Sequence, residues 1–405
     1  MKICIITAVL LLAVPVRGTA QSQCMECHAE KSLTKEGPSG EEVSLYVDPS
    51  ILRASIHKKL TCTECHREIT SFPHPEKPAR VRCGFCHRPS DEEYGKSIHG
   101  KGFLKGDKDS PTCSTCHGTH DVKKIKDPRS RIFPLNLQKV CLTCHADEKL
   151  DARHGLPGPE VFKAFEKSVH GRALRAGLNV AAVCSDCHGT HRIMPADDPS
   201  SMVNKANIPG MCGKCHMPIL DTYKTSLHGQ AASKGIKEAP VCTDCHGEHT
   251  ITRVTDPSSK VYATNIPKTC SACHEREALQ TQYVLPPRRL ATYEYSYHGI
   301  ASTYGQVTVA NCASCHGVHD ILPSTDPRSS VNPANLIKTC GKCHPGATEN
   351  FAKGNVHIEA KKESSFGVFA VRTFYTWFIG ILGTGFLLHV TLDIIRWIRQ
   401  RKKQP

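Results

Sequence analysis

The chain has 405 residues, with 23 Cys and 24 His beside only 6% aromatics, and its 39% hydrophobic share counts the cysteines. Cysteine and histidine at this level far exceed what packing uses, which excludes both an ordinary globular enzyme with a protein-only core and a plain disordered polypeptide. The formal charge of +14 is no nucleic-acid footprint, since Arg396, Arg399, Arg401, Lys402 and Lys403 crowd into the last ten residues, and no nucleic-acid partner is expected.

Residues 1–20 read as a secretory signal peptide. Met1-Lys2 supplies the positive start, Ile3 to Val16 the apolar run, and Arg17-Gly18-Thr19-Ala20 the small residues before a cut after Ala20. Cys4 leaves with it, and the remaining 22 Cys face an exported compartment.

Those 22 cysteines all belong to one pattern, Cys-x-x-Cys-His, repeated eleven times. Residues 21–90 hold three copies: Cys24, Cys27 and His28; Cys62, Cys65 and His66; Cys83, Cys86 and His87. Residues 91–350 hold eight more: Cys113, Cys116 and His117; Cys141, Cys144 and His145; Cys184, Cys187 and His188; Cys212, Cys215 and His216; Cys242, Cys245 and His246; Cys270, Cys273 and His274; Cys312, Cys315 and His316; Cys340, Cys343 and His344. Structural zinc would use pairs of such segments, and eleven is odd. Redox or structural disulfides need no histidine after each pair. Covalent c-type haem needs all three residues: two thiols add to the vinyl groups and the adjacent histidine reaches the iron. Eleven covalently bound haems c are therefore expected. Counting their propionates and iron, the full-chain formal charge of +14 becomes about +3 oxidised and about −8 reduced.

Residues 91–350 divide into four tandem two-haem modules. Each opens on Ser-x-His-Gly, at His99, His170, His228 and His298, with the first motif cysteine 14 residues later. The first motif continues as His-Gly-x-His, giving His120, His191, His249 and His319. An Asp-Pro turn follows, and the second motif histidine lies 28 residues after the first. The joints vary, with insertions around residues 146–165 and 275–293.

Thirteen histidines lie outside the motifs. Eleven are candidate second iron ligands: His57, His99, His170, His228 and His298 of the Ser-x-His type, His120, His191, His249 and His319 of the His-Gly-x-His type, His357 after the last motif, and His74 between two prolines. Spacing does not assign each to a motif, but a histidine three residues past its own motif cannot easily reach the far face of the same haem. His120 and its equivalents are thus expected to serve a neighbour. His154 sits in a variable insertion and His389 in the C-terminal apolar segment, so neither is counted. Only Met194, Met202, Met211 and Met217 could compete as soft ligands.

After a linker at 351–372, residues 373–395 form an apolar segment about 34 Å long as a helix, enough for a bilayer core of about 30 Å. Trp377 and Trp397 sit near its ends as interfacial aromatics, and the basic tail 396–405 marks the cytoplasmic side. His389 and Asp393, one turn apart, form a polar pair inside it.

These motifs resemble the multihaem c-type cytochromes, specifically the doubled Cys-x-x-Cys-His, cytochrome c3-like group. The resemblance implies short helices and loops around stacked haems, little β-structure and electron transfer. The segment from Phe366 to Arg401 is similar to the linker and first helix by which multihaem cytochromes join a membrane b-type cytochrome. The expectation is a periplasmic undecahaem cytochrome held to the inner membrane by one C-terminal helix. It would relay electrons between a b-type cytochrome, or another quinone-linked membrane subunit, and periplasmic redox proteins. No catalytic residue is assigned. The rival is a multihaem reductase of a small nitrogen or sulfur oxyanion, which needs one haem with an open face. Intact mass of the signal-cleaved chain should show eleven haem increments; ten or fewer, with free thiols left over, would contradict full occupancy.

Overall fold

The computed structural model describes residues 20–37, 40–156, 158–354, 356–359, 361–363 and 365–401. The expected signal peptide, Ala20 apart, and residues 402–405 of the basic tail lie outside them. Short helices dominate. Among the described residues the only strands are Thr34–Glu36 and Glu42–Ser44, an antiparallel pair with Lys35 opposite Val43. Two compact units are formed. One runs to Cys215 and adds Glu248–Ile251; the other comprises His216–Gly247 and everything from Thr252 onward. The division falls inside the seventh Cys-x-x-Cys-His segment.

Buried apolar side chains are few. Among the described residues they are Leu174, Val183, Met194, Ile208, Ala239, Val241, Leu279 and Tyr293, whereas the most deeply buried side chains are serines. Helices of five to nine residues are marginal on their own. Here polar groups at their ends hold them, and the repeated sequence elements are those groups.

Each Ser-x-His-Gly element joins two helices at a sharp bend. Arg88–Lys96 meets Ile98–Leu104 at Ser97, Glu160–Lys167 meets Val169–Arg175 at Ser168, and Met217–Thr225 meets Leu227–Ser233 at Ser226. Arg289–Glu294 is followed in the same way by Tyr297–Thr303 at Ser296. The serine is extended, and its hydroxyl works in both directions. It donates to the carbonyl three residues back (Tyr94, Phe165, Tyr223 and Tyr293, at 2.6–2.7 Å). It also accepts the N–H of the glycine three residues on, at 2.9–3.2 Å. The glycine is required by contact: a Cβ on Gly229 would lie 2.0 Å from the Tyr223 carbonyl oxygen. The intervening histidine is thereby fixed in the first turn of the second helix.

Asparagine clamps the Asp-Pro turns. Asn136, Asn207, Asn265 and Asn335 each donate through Nδ2 to the turn proline's carbonyl and to that of the serine two residues later, at 2.7–2.9 Å. Each stands five residues before the first cysteine of a second motif.

The C-terminal helix Phe366–Arg401 has 36 residues. Its stretch Phe366–Gln400, mean hydropathy 1.9, is long and apolar enough to cross a membrane. It starts inside the segment expected as linker, because residues 366–371 are apolar and free of proline, so nothing stops the helix from extending back past Arg372.

Ser226 is 1% exposed. Replacing it with alanine leaves the Gly229 N–H uncapped and removes a donor from the Tyr223 carbonyl, and should cost about 1–3 kcal/mol. Denaturant unfolding measures this; an unchanged midpoint would show that the hydroxyl does not hold the bend.

Candidate functional site

The two members of each module start from different local structures. In the first motif the cysteines begin a helix: Cys62–Cys65, Cys113–His117, Cys184–His188, Cys242–His246 and Cys312–His316. The residue just before the second cysteine caps it. Glu64, Thr115, Asp186, Asp244 and Ser314 accept the backbone N–H of the residue preceding the first cysteine, at 2.6–3.1 Å. In all but the Cys62 motif, where Arg67 follows His66, the glycine after the motif histidine then turns the chain at positive φ, +86° at Gly118 and +87° at Gly189. In the second motif the cysteines close a helix entered through the asparagine-clamped turn, as in Pro134–His145 and Ile266–His274.

The 22 cysteines of the described residues are unbridged. Within each unit, consecutive motifs are neighbours along the chain. Thiol hydrogen bonds join Cys24 to Cys62, Cys83 to Cys113, Cys141 to Cys184, and Cys270 to Cys312. Between these links, Cys65 lies near Cys83 and Cys86, Cys116 near Cys144, Cys187 near Cys215, Cys245 near Cys270 and Cys273, and Cys315 near Cys340 and Cys343. Thiol–thiol bonding, then burial, pushes Cys83, Cys141 and Cys270 up, and the same bonds pull Cys113 and Cys184 down.

Histidines meet in pairs, each joining one motif histidine to one non-motif histidine. His28 faces His74, His66 faces His120, His117 faces His191, His188 faces His249, His246 faces His319 and His316 faces His357. His87 faces His57, His145 faces His99, His274 faces His228 and His344 faces His298. Ring centres are 5.9–6.3 Å apart throughout. Two imidazoles bonded at about 2 Å on opposite sides of one metal ion hold their centres about 6 Å apart, so every pair fits one shared ion held between the rings.

A rule follows that spacing alone did not reveal. In the first, third and fourth modules the Ser-x-His histidine meets the second-motif histidine of its own module, and the His-Gly-x-His histidines of the second, third and fourth modules meet the first-motif histidine one module upstream. The N-terminal three-motif region obeys the same rule: His57, His66 and His87 act as a contracted module, served by His120 from downstream. The two classes differ in orientation. Pairs of the first kind are tilted by 55–63°. Those of the second kind are closer to parallel, at 7–30°; the two end pairs, outside both kinds, are His28–His74 at 6° and His316–His357 at 44°.

Backbone bonds stitch the two histidine-bearing segments together. The residue before the Ser-x-His histidine donates its N–H to the carbonyl two residues past a downstream His-Gly-x-His histidine. The bonds are Ile56 to Val122, Ile98 to Ile193, Val169 to Ile251 and Leu227 to Ile321, at 2.8–2.9 Å. Some rings are also aimed through Nδ1. His28 bonds the Leu45 carbonyl, His74 the Pro75 carbonyl and His357 the Thr292 hydroxyl, at 2.8–2.9 Å, which leaves Nε2 for a metal.

His170 and His216 hold the repeat positions of His99 and His145. His154 is placed elsewhere: its Nε2 is 2.9 Å from the Asp109 carboxylate, which also takes Arg153. His389 Nε2 is 3.7 Å from Asp393 in the C-terminal helix. The clamping asparagines, the capping residues and the backbone stitches were not singled out from the sequence. The asparagines had a usable signal in their constant five-residue offset.

Comparisons with protein-family models, with curated proteins and with solved structures each gave no match.

Burial lowers the pKa of His66, His99, His117, His145, His188, His246, His274 and His316, and at His228 pushes it down to about 4. These rings are neutral and able to ligate at pH 7. Their folded pKa lies below the solution value near 6.5, so stability is full above about 6.5 and is lost as pH falls through the lowered values, that of His228 at about 4. Acid titration followed by absorption and circular dichroism should stay flat above pH 6.5 and change between there and pH 4; a transition centred above 6.5 would contradict the burial argument.

Proposed function

We propose that the chain is a membrane-anchored, exported undecahaem c-type cytochrome that relays electrons between a quinone-linked membrane partner, such as a b-type cytochrome, and periplasmic redox proteins. The observation that carries this reading is the set of ten histidine pairs with ring centres 5.9–6.3 Å apart, each pair one motif and one non-motif histidine. Haem, when bound, supplies a one-electron iron couple.

The chain's own residues do the rest. Paired cysteines would hold the macrocycle covalently, and each motif histidine with its partner histidine would hold the iron, which would keep the iron's surroundings nearly unchanged on reduction. Histidine on both faces favours lower potentials than methionine would. By repeat position we assign His216 as a motif ligand and His170 as a non-motif ligand. Adjacent motifs in chain order give a continuous path within each unit. The leader, the C-terminal apolar helix and the basic residues after it support a haem body in the periplasm on the inner membrane. The oxyanion-reductase reading requires a motif histidine with an open side opposite it, and the ten pairs disfavour it.

Carbon monoxide tests the assignment, because it binds reduced haem only where an axial position is free. The parent protein should not bind it. His191→Ala, which empties the position opposite His117, should bind about one equivalent. His154→Ala should bind none, since His154 engages Asp109. Stoichiometric binding by the parent would overturn the pure-relay reading in favour of the reductase.

A further inference from the structure

The fourth module differs from the other three on one face. Four positions around its Ser-x-His-Gly helix are Tyr295, Tyr297, Ile300 and Tyr304. The same positions are Lys96, Ile98, Lys101 and Lys105 in the first module, Lys167, Val169, Arg172 and Ala176 in the second, and Thr225, Leu227, Gln230 and Lys234 in the third. The second position is apolar in every module; at the other three, where the other modules carry bases, Thr225, Gln230 and one alanine, the fourth has two tyrosines and an isoleucine.

These four side chains are open to solvent: Tyr295 is 72% exposed, Tyr297 82%, Ile300 48% and Tyr304 84%. Tyr297, Ile300 and Tyr304 follow one another at i, i+3 and i+7, so they share one face of the helix Tyr297–Thr303 and its C-cap. Tyr295 continues the patch at the preceding bend. The patch also adjoins the apolar C-terminal helix, since the Arg372 guanidinium lies over the Tyr295 ring, 5.9 Å from its centre. Arg372 is the last residue before the 373–395 apolar segment, the depth at which a membrane helix meets the headgroups. Tyrosine is an interfacial side chain, with an apolar ring and a polar tip.

We propose that this tyrosine face is a lipid-binding surface, seating the fourth module on the headgroup layer of the outer leaflet. The proposal rests on the membrane-anchored reading of the C-terminal helix. It has a consequence for the path: the Tyr297 ring is 6.3 Å from that of His298, which faces His344. The eleventh motif would then be the metal site held at the membrane surface, where a quinone-linked partner meets the chain.

The test uses full-length holoprotein in phosphatidylethanolamine/phosphatidylglycerol nanodiscs containing a lipid with a diazirine near its headgroup. After photolysis, adducts are mapped by peptide mass spectrometry. Expected are adducts in residues 290–307 and in 366–401, with none in the corresponding segments 91–108, 162–179 and 220–237. Adducts in 366–401 alone would overturn the lipid-binding face and leave the anchor standing. Equal labelling of all four modules would overturn the specific role of the tyrosines. Absence of adducts from both 290–307 and 366–401 would overturn the anchor, and the proposal with it.

Discussion

The structure depends on one constraint: two imidazoles from different parts of the chain must face each other about 6 Å apart, close enough to share a metal ion and too far apart to bond each other. Most of the repeated elements serve that distance. Ser-x-His-Gly bends fix one ring at the start of a helix, and motif helices fix the other. Backbone bonds such as Val169 to Ile251 and Leu227 to Ile321 hold the segments in register. With so few buried apolar residues, packing between side chains alone could not do this. In the proposed holoprotein these histidines and the paired cysteines would hold the haems, and cofactor binding and folding would become one process.

Because the first-motif histidine is served from one module downstream, the modules are linked in series. A module removed from the middle would take with it the partner of the module before it. The same arrangement explains why the ends differ: His74 and His357 close the series where no regular module supplies the second ring.

Much of the candidate site was legible before the fold was known, because Cys-x-x-Cys-His is a local pattern and the offsets of 14 and 28 residues are constant. The histidines to be paired were legible as a set. Their partners were not, because pairing joins His117 to His191 or His246 to His319 across more than 70 residues, and nothing in local spacing encodes that reach. The N-terminal region looked irregular because His57 precedes Cys62 by only five residues. Its loops are shortened while its pairing is kept. The asparagine clamps were overlooked because their chemistry is structural, and attention to metal ligands passed over a residue that only shapes a turn. The apolar C-terminal helix was legible by composition, and it begins at Phe366, ahead of the 373–395 apolar segment, because residues 366–371 are apolar as well.

Electron paramagnetic resonance of the fully oxidised protein tests the paired-histidine account most directly. Low-spin ferric signals become more anisotropic as the two imidazole planes turn away from parallel. The account predicts iron that is entirely low-spin and divides into two classes. One is of ordinary rhombic type, from pairs such as His28–His74 and His188–His249 at 6–7°. The other is strongly anisotropic, from His57–His87, His99–His145, His228–His274 and His298–His344 at 55–63°. A stoichiometric high-spin signal, or a single low-spin class, would contradict it.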